Sequence, residues 1–336
     1  MKMKILYLGN KLSQHGINAT TVETLGAHLS DSGFQVVSYS SKRNSFLRLF
    51  DMLFGILKHR NSDYILIDTY STSAFWFAFL SSQLARWLGI KYIPILHGGN
   101  LPNRLLSSPK LCKWLFLPAY INVSPSEYLK FHFEKFGISN VICIPNAISV
   151  SDYAFKERSV FYPKLLWVRA FATIYNPTMA IDVLHLLQKK YPEATLTMVG
   201  PDKDGSLEET KKYANQLKLN VNFTGKLSKA AWTDLAQHHD IFINTTHFDN
   251  MPVSVLEAMA LGLPVVSTNV GGLPFLITST ENGYLVDDND AVAMAAQIEA
   301  IIGFPQPTLE IIRRAKCKVS QMDWEVVENQ WLNLLR

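Results

Sequence analysis

Two carboxylates, Asp249 and Glu257, stand eight positions apart in the stretch 247–266, which reads H-F-D-N-M-P-V-S-V-L-E-A-M-A-L-G-L-P-V-V. Asp249 follows an apolar run, 241–246, that predicts a buried strand. Glu257 lies in a short amphipathic stretch that begins at Pro252, and proline is favoured at a first helical position because its missing amide would be unpaired there. The spacing therefore predicts one carboxylate in a loop after a strand and the other inside the following helix.

The start of that helix is also predicted to bind an anion. Amides at Asn250, Met251 and Val253 are expected to lack intrahelical partners, and the positive end of the helix dipole lies beside them. Carboxylates on either side can accept hydrogen bonds from hydroxyl groups. Residues 250–253 together with Glu257 are thus predicted substrate-binding residues for a diphosphate that carries sugars, and Pro252 belongs to this set.

The segment resembles the signature of the retaining, nucleotide-sugar-dependent glycosyltransferases of family 4, which have the GT-B fold. That signature is Glu, seven residues, Glu, then A-M-A-x-G-x-P-V-V and a later G-G-x-P-E. Eleven positions match: Glu257, Ala258, Met259, Ala260, Gly262, Pro264, Val265, Val266, Gly271, Gly272 and Pro274. Asp249 replaces the first Glu and Phe275 the last. The resemblance implies that Asp249 holds hydroxyls of the transferred sugar and that Glu257 holds those of the donor ribose.

Arg169 follows the first predicted strand of the second half. The resemblance implies that this arginine and a lysine six residues later grip the diphosphate, but position 175 is Tyr, and Asn176 replaces the usual glycine. A guanidinium can bind phosphate with two hydrogen bonds and keeps its charge. A tyrosine hydroxyl offers a neutral hydrogen bond of about 0.5 to 1.5 kcal/mol, against about 1.5 to 3 for a charged one. Whether Tyr175 or Lys226 replaces the lysine stays open.

Two further motifs follow strands of the first half. H-G-G-N-L-P at 97–102 places His97 and Gly98 at a strand end, where glycine lets the backbone come close to a ligand. The resemblance implies that His97 contacts the transferred sugar; the alternative is a histidine bonded to a neighbouring loop. Gly16 matches the family's glycine loop after the first strand, and the alternative there is a plain strand-to-helix turn.

No metal and no separate cofactor are expected, because the sugar nucleotide is itself a substrate. The acidic runs 202–204 and 287–290 contain the Asp-x-Asp arrangement that holds a metal-bound diphosphate in the other glycosyltransferase fold. We interpret both as solvated turns, since the resemblance implies phosphate binding by helix amides and basic side chains.

Length and composition predict two globular domains. The chain has 336 residues, 48% of them apolar and 18% charged, which is enough for two cores. We predict an acceptor-binding domain at 1–155 and a nucleotide-sugar-binding domain at 160–319, and the resemblance implies that a helix in 320–336 packs back on the first. The net charge of +4 without a basic run interleaved with aromatics predicts no nucleic-acid partner.

The chain is predicted to be cytoplasmic. Its amino terminus, M-K-M-K-I-L-Y-L-G, runs directly into a strand and has no signal-peptide pattern. Its longest apolar window has seven residues, and a membrane-spanning helix needs roughly 20. Cys112, Cys143 and Cys317 are an odd, scattered set, which favours buried thiols in a reducing compartment.

Short apolar runs alternate with helical patterns through both halves and predict an α/β protein. Six runs occur in each half, at 4–9, 35–39, 64–68, 91–96, 121–124 and 141–145, then at 164–168, 194–200, 221–225, 241–246, 264–269 and 283–286. Strands that are apolar on both faces are typical of parallel sheets covered by helices. We therefore predict two doubly wound, Rossmann-like domains that face an interdomain cleft, as in GT-B.

The acceptor is suggested by a basic and aromatic stretch at 42–60, followed by a second at 104–117. Both stretches can lie on an anionic bilayer as peripheral contacts on the inner face of the membrane. The alternative for the first is an ordinary helix whose apolar face packs on the sheet. A membrane contact would make the acceptor a lipid-linked saccharide; otherwise a soluble saccharide is expected.

The resulting hypothesis is retaining transfer of a sugar from a nucleoside-diphosphate sugar to a saccharide or lipid-linked saccharide, in surface polysaccharide synthesis. His97, Asp249 and Arg169 are the predicted catalytic residues. The alternatives are a non-catalytic nucleotide-sugar-binding protein and another GT-B activity, such as a sugar-nucleotide epimerase.

Overall fold

The computed structural model describes residues 2–11 and 20–336. The predicted ligand-binding Gly16 lies outside these residues. The chain divides into two compact units, Met1–Asn146 with Val327–Arg336, and Ala147–Val326. We describe each unit by itself.

The first unit contains a six-stranded, fully parallel sheet. Its strands are β1 (Lys4–Leu8), β2 (Gln35–Tyr39), β3 (Tyr64–Thr69), β4 (Lys91–Leu96), β5 (Asn122–Ser124) and β6 (Val141–Cys143). They lie in the order β2-β1-β3-β4-β5-β6. Every residue of β3 is buried, so the centre of the sheet is covered on both faces.

Helices connect these strands. They are α1 (Thr21–Asp31), α2 (Ser45–Lys58), α3 (Phe75–Trp87), α4 (Leu101–Ser107), α5 (Pro109–Phe116) and α6 (Glu127–Lys135). Thr20 caps α1 in a reciprocal arrangement with Glu23, as expected for a Thr three residues before a Glu. The last helix, α14 (Trp324–Leu335), reaches the first unit, where the Glu328 carboxylate accepts a hydrogen bond from the Ser32 hydroxyl.

The second unit repeats this plan. Its strands are β7 (Lys164–Val168), β8 (Thr195–Val199), β9 (Val221–Gly225), β10 (Ile241–Asn244), β11 (Val265–Thr268) and β12 (Tyr284–Val286). They are parallel and lie in the order β12-β11-β10-β7-β8-β9. Its helices are α7 (Pro177–Gln188), α8 (Ser206–Gln216), α9 (Lys229–Ala236), α10 (Val253–Ala260), α11 (Leu273–Leu276), α12 (Ala291–Gly303) and α13 (Pro305–Ser320).

The second sheet is buried on both faces, which explains its unbroken apolar strands. Leu165 and Trp167 of β7 belong to one buried cluster, and Leu166 between them belongs to another. Successive side chains of a strand point to opposite faces, so these clusters lie on the two sides of the sheet. The prediction of two doubly wound α/β units is confirmed, with each of the twelve strands within a predicted run or one residue beyond it.

Two local expectations need correction. Pro252 is the residue before α10 and not its first helical residue, because its ψ of 119° is extended and its carbonyl accepts the Val255 amide. Cys112 is buried as predicted, whereas Cys143 is half-buried and Cys317 is exposed.

Among the helices described, none combines the length and apolar character that crossing a membrane requires.

Candidate functional site

Two of the predicted site residues of the second unit, Arg169 and Asp249, meet at the carboxyl edge of its sheet. Arg169 directly follows β7, and Asp249 lies in the loop after the neighbouring β10. Parallel strands end at the same edge, and the guanidinium of Arg169 forms an ion pair with the Asp249 carboxylate through Nη2 and Oδ2. The two side chains are 19% and 14% exposed, so the pair is largely removed from water. The topology brings together two residues that are 80 positions apart in the sequence.

Tyr175 contacts Arg169. The Arg169 Cζ lies 4.4 Å from the centre of the Tyr175 ring, a cation–π geometry. Burial lowers the pKa of Arg169, and the contact with Tyr175 acts in the opposite direction. A guanidinium starts from so high a pKa that it stays charged. Tyr175 stands where the resembled family has a lysine, and its ring stabilises the charged guanidinium of Arg169. The other candidate for this role, Lys226, is exposed just beyond β9.

The amides at the start of α10 differ from the prediction at one position. The Asn250 amide donates to Asp249 Oδ1 at 2.8 Å, so the expectation that it is unpaired is wrong. Among residues 2–11 and 20–336, the amides of Met251, Val253 and Ser254 meet no acceptor. Two of these are the first amides of the helix, where the dipole is positive. An anion would thus bind slightly further along the chain than the sequence suggested.

Gly271 and Gly272 support the loop that carries Asp249. The Gly272 amide donates to the Asp249 carbonyl at 2.8 Å. A Cβ at Gly272 would overlap the Asn250 carbonyl, and one at Gly271, whose φ is +54°, would overlap the Asp249 carbonyl. The two glycines let the loop pass at contact distance, which positions the Asp249 side chain next to Arg169.

Substitution of Gly272 by Ala is expected to disturb the site through this contact. The added methyl group collides with rigid backbone, so we expect a loss of about 1 to 3 kcal/mol of stability. We also expect donor binding at least about 10-fold weaker, since small misplacements of reacting groups are costly. Thermal unfolding and donor titration measure both effects. Gly303→Ala is the control, because a Cβ there meets nothing within 4 Å. If both variants unfold at the same temperature and bind the donor equally well, Gly272 does not support the Asp249 loop.

Glu257 is held by a tyrosine that sequence reasoning missed. The Tyr153 hydroxyl donates to Glu257 Oε1 at 2.5 Å. Lys229 Nζ lies 4.6 Å from the centre of the Tyr153 ring and 3.0 Å from Asp152 Oδ2. Burial raises the pKa of Glu257, while the Tyr153 hydrogen bond and the charge of Lys229 oppose that rise. Tyr153 lies in a stretch without periodicity, and no sequence signal pairs it with a helix 104 positions later.

Substitution of Tyr153 by Phe is expected to shift the acid limb of donor binding to higher pH. The hydroxyl favours the ionised carboxylate, so its removal raises the pKa of Glu257 further. Ribose hydroxyls donate best to the ionised form, and binding should be lost at a higher pH as the carboxyl protonates. Donor titrations across about pH 5 to 8 measure this shift. The control is Tyr213→Phe, which removes a similar hydrogen bond, to Asp182, elsewhere in the unit. Loss of donor binding at the same pH in the unaltered protein and in both variants would contradict the prediction.

The acidic runs have structural partners. The Asp204 carboxylate accepts from the Thr173 amide and from the Ser206 hydroxyl, and these hydrogen bonds, with that of Ser206 the largest, lower its pKa to about 2. Asp288 pairs with His247 at 2.9 Å, and Asp290 caps α12. Within the described ranges no group of three His, Cys, Asp or Glu side chains has the geometry to hold a metal ion.

The predicted residues of the first unit lie at the carboxyl end of β4. His97 is the first residue after this strand, its amide donates to the Thr69 carbonyl, and its side chain is 6% exposed. His97 Nε2 lies 2.8 Å from Oδ1 of Asp68, which belongs to β3. A Cβ at Gly98 would lie 2.8 Å from the Ser71 amide nitrogen, so the backbone at Gly98 passes close to the segment that follows β3. The partner of His97 is therefore a buried carboxylate, which sequence reasoning did not identify.

Part of the chain is similar in sequence to known glycosyltransferases. Residues 154–317 match the family model for group 1 glycosyl transferases. A curated relative, an uncharacterized glycosyltransferase of Haemophilus influenzae, is 26% identical over 207 residues. That match covers 60% of this chain and 57% of the relative, so the chain spans little more than half of the relative's length.

Solved structures match over nearly the whole chain. The sucrose-phosphate synthase of Thermosynechococcus elongatus superposes with a TM-score of 0.77 at 15% identity, covering 99% of this chain and 98% of that one. HepE of Anabaena, solved in complex with UDP-glucose, gives 0.74 at 18% identity and covers 99% of both chains. The chain thus has the GT-B fold that was predicted, and its residues 154–317 are similar to the group 1 glycosyl transferases.

Proposed function

We propose that the chain is a retaining glycosyltransferase that uses a nucleoside-diphosphate sugar as donor and needs no metal. The observation that carries this proposal is the junction of Arg169, Asp249 and the first amides of α10 at one sheet edge. That junction combines a cation, dipoles for an anion and a carboxylate for hydroxyl groups. HepE, which has the same fold, was solved with UDP-glucose, and this supports a nucleotide sugar as the ligand.

The donor's diphosphate would compete for Arg169. In the described structure the guanidinium is paired with Asp249, and its Nε is buried without a hydrogen-bond partner among the described residues. A phosphate is a bidentate acceptor that suits an arginine with an unused donor. Binding of the diphosphate to Arg169 and to the amides of Val253 and Ser254 would release part of the Asp249 carboxylate, which can then accept hydroxyls of the sugar.

The same groups can stabilise the charge that develops in the reaction. The bond between the anomeric carbon and the phosphate oxygen breaks, so negative charge grows on the diphosphate while the sugar gains oxocarbenium character. Fixed donors aimed at the growing charge are worth more than in water, because they need no reorganisation. The departing phosphate oxygen then takes the proton of the acceptor hydroxyl, and that hydroxyl's oxygen bonds to the anomeric carbon on the same face. His97 is proposed to contact the transferred sugar.

Glu257 is proposed to bind the donor's ribose. Its Oε1 already accepts from Tyr153, which leaves Oε2 for a ribose hydroxyl. The carboxylate lies in the second turn of α10, close in sequence to the amides proposed for the diphosphate. One short helix would therefore bind two adjoining parts of the donor.

The acceptor is proposed to be a saccharide attached to a membrane lipid, in surface polysaccharide synthesis on the cytoplasmic side. The structure shows an α2 apolar face of large exposed side chains: Phe46, Leu47, Phe50, Phe54 and Leu57. Only a narrow opposite stripe of α2, which includes Met52 and Ile56, is buried. The alternative interpretation, an ordinary helix that packs on the sheet, explains why the narrow stripe is buried. It does not explain the aromatic face, which the described residues of its own unit leave exposed.

Basic residues flank the α2 apolar face. Lys42, Arg43, Lys58 and Arg60 are exposed at its two ends. Arg48 is an exception to the predicted basic surface, because it is buried and donates to the Lys42 and Arg43 carbonyls and to Asn10 Oδ1. Aromatic side chains between cations suit an anionic bilayer, where the rings enter the interface and the cations meet the headgroups.

Replacement of Phe50 and Phe54 together by Ser is expected to reduce retention on anionic vesicles at low salt by at least about 10-fold. Each phenyl group contributes roughly 1.5 to 3 kcal/mol when fully buried, and partial insertion gives less. Vesicle sedimentation at low and high salt measures the effect. Phe304→Ser, which removes a phenylalanine that is 74% exposed in the second unit, is the control. Poor retention of the unaltered protein would leave a soluble saccharide as the better acceptor.

The test of the proposed function is a screen of common sugar nucleotides by thermal shift, followed by transfer assays. A ligand at a hundred times its dissociation constant stabilises a protein by about 2.7 kcal/mol, which is readily measured. The proposal expects one donor to stabilise the chain and its sugar to be transferred with retention at the anomeric carbon. Donor consumption without acceptor would favour an epimerase, and tight binding without any turnover would favour a non-catalytic sensor. Absence of any stabilisation would contradict all three.

A further inference from the structure

Asp68 is a buried carboxylate that the proposed chemistry does not use. It is the fifth residue of β3, and its side chain is 1% exposed. Three neighbours surround it closely. His97 Nε2 lies 2.8 Å from Oδ1, the Tyr7 hydroxyl donates to the same oxygen at 3.0 Å, and a Cβ at Gly9 would overlap Oδ2. A buried charge costs free energy unless it is paired. We therefore expect the Asp68 carboxylate to act on the groups that surround it.

The polar neighbours of Asp68 are arranged as donors. Burial and the nearby Asp68 raise the pKa of Tyr7, so its hydroxyl keeps its proton and can only donate to the carboxylate. Tyr70 also lies beside the imidazole, with ring centres 5.5 Å apart. The remaining oxygen, Oδ2, has no hydrogen-bond partner among the described residues. The carboxylate is therefore an acceptor for the His97 Nε2 proton.

This geometry determines which nitrogen of His97 is free. A neutral imidazole carries one proton, and the other nitrogen has a lone pair. With the proton on Nε2 facing Asp68, Nδ1 is an acceptor, and it has no hydrogen-bond partner within residues 2–11 and 20–336. The close passage of Gly9 leaves Asp68 little room to move.

We propose that Asp68 is a positioning residue that holds His97 with its proton on Nε2, so that Nδ1 accepts a hydrogen bond from a hydroxyl of the sugar substrate. This inference rests on the proposed function only for the identity of the ligand. The tautomer and the ring orientation are properties of the free protein. Sequence alone gives one signal, an acidic residue at the end of the otherwise apolar strand Y-I-L-I-D-T.

The test compares Asp68→Asn with Tyr7→Phe, which removes the other hydrogen bond to the same oxygen. Imidazole nitrogen NMR at about pH 8.5, above the usual histidine range, identifies the tautomer, and the His97 signals are assigned by their loss in His97→Ala. We expect protonated Nε2 in the unaltered protein and in Tyr7→Phe. In Asp68→Asn the amide can donate to Nε2, so the form protonated on Nδ1 should appear.

Kinetics provide the second readout. Asp68→Asn should lower kcat/KM for the donor by roughly 10- to 150-fold, the range for a lost charge-assisted hydrogen bond. The same substitution in a His97→Ala background should cause little further loss, because its effect acts through the imidazole. An equal loss in both backgrounds, or an unchanged tautomer in a folded Asp68→Asn protein, would overturn the proposal. If the unaltered protein transfers no sugar, the proposed function fails, while the NMR result still decides the role of Asp68.

Discussion

Substitution of Arg169 by Ala is expected to reduce sugar transfer by about 100- to 1,000-fold, mainly through kcat. The loss corresponds to one preorganised donor at a developing charge, about 2.7 to 4 kcal/mol. Arg169 is the cation at the junction, and the position six residues later holds Tyr175, whose ring lies against the guanidinium. Among the described residues, no other arginine or lysine lies within ion-pair distance of Asp249. Steady-state kinetics with the donor identified by the screen measure the effect.

Two further variants separate charge from structure. Removal of Arg169 also leaves the Asp249 carboxylate, which is 14% exposed, without its ion-pair partner, and this costs stability. Arg169→Ala combined with Asp249→Asn removes that buried charge, so stability should recover while transfer stays low. Arg313→Ala is the control, because Arg313 is half-exposed and pairs with Glu157 and Glu310 at the surface. Transfer by Arg169→Ala at the rate of Arg313→Ala would remove Arg169 from the proposed mechanism.

The two sheets were predictable because their signal is local. A strand buried on both faces must be apolar along its length, and the runs around β3 and β10 show this directly. Some helix starts carry an equally local signal, since threonine is favoured as an N-cap, as at Thr20, and proline at a first helical position, as at Pro177. The error at Pro252 is one residue, and its cause is the backbone angle of that proline, which sequence does not specify.

The contacts within the candidate site were only partly predictable. Arg169 and Asp249 could be named separately, but their pairing depends on β7 and β10 being neighbours in the sheet. The partners Tyr153 of Glu257 and Asp68 of His97 are 104 and 29 positions away. A tyrosine in a polar stretch and one acidic residue in a strand carry no periodicity, so only the folded topology reveals their roles.

Substitution of Glu257 by Ala is expected to lower donor use by roughly 10- to 150-fold. The removed carboxylate would have accepted charge-assisted hydrogen bonds from the ribose, worth about 1.5 to 3 kcal/mol. The ribose is bound in both the ground state and the transition state, so the loss should appear mainly in KM. Kinetics with the complete donor, and binding of the nucleoside diphosphate alone, should weaken by similar factors because both contain the ribose.

The choice of controls for Glu257 follows from its hydrogen bond with Tyr153. Glu257→Ala also leaves the Tyr153 hydroxyl without its acceptor, which costs stability and could disturb the loop that contains it. Glu257→Gln keeps an oxygen for Tyr153 and removes only the charge, so it should retain stability and show a smaller increase in KM. Tyr153→Phe combined with Glu257→Ala removes both polar partners and should not bind donor better than Glu257→Ala. Unchanged kinetics in a folded Glu257→Ala protein would exclude the carboxylate as the ribose ligand, and the donor would then be bound by Arg169 and the helix amides alone.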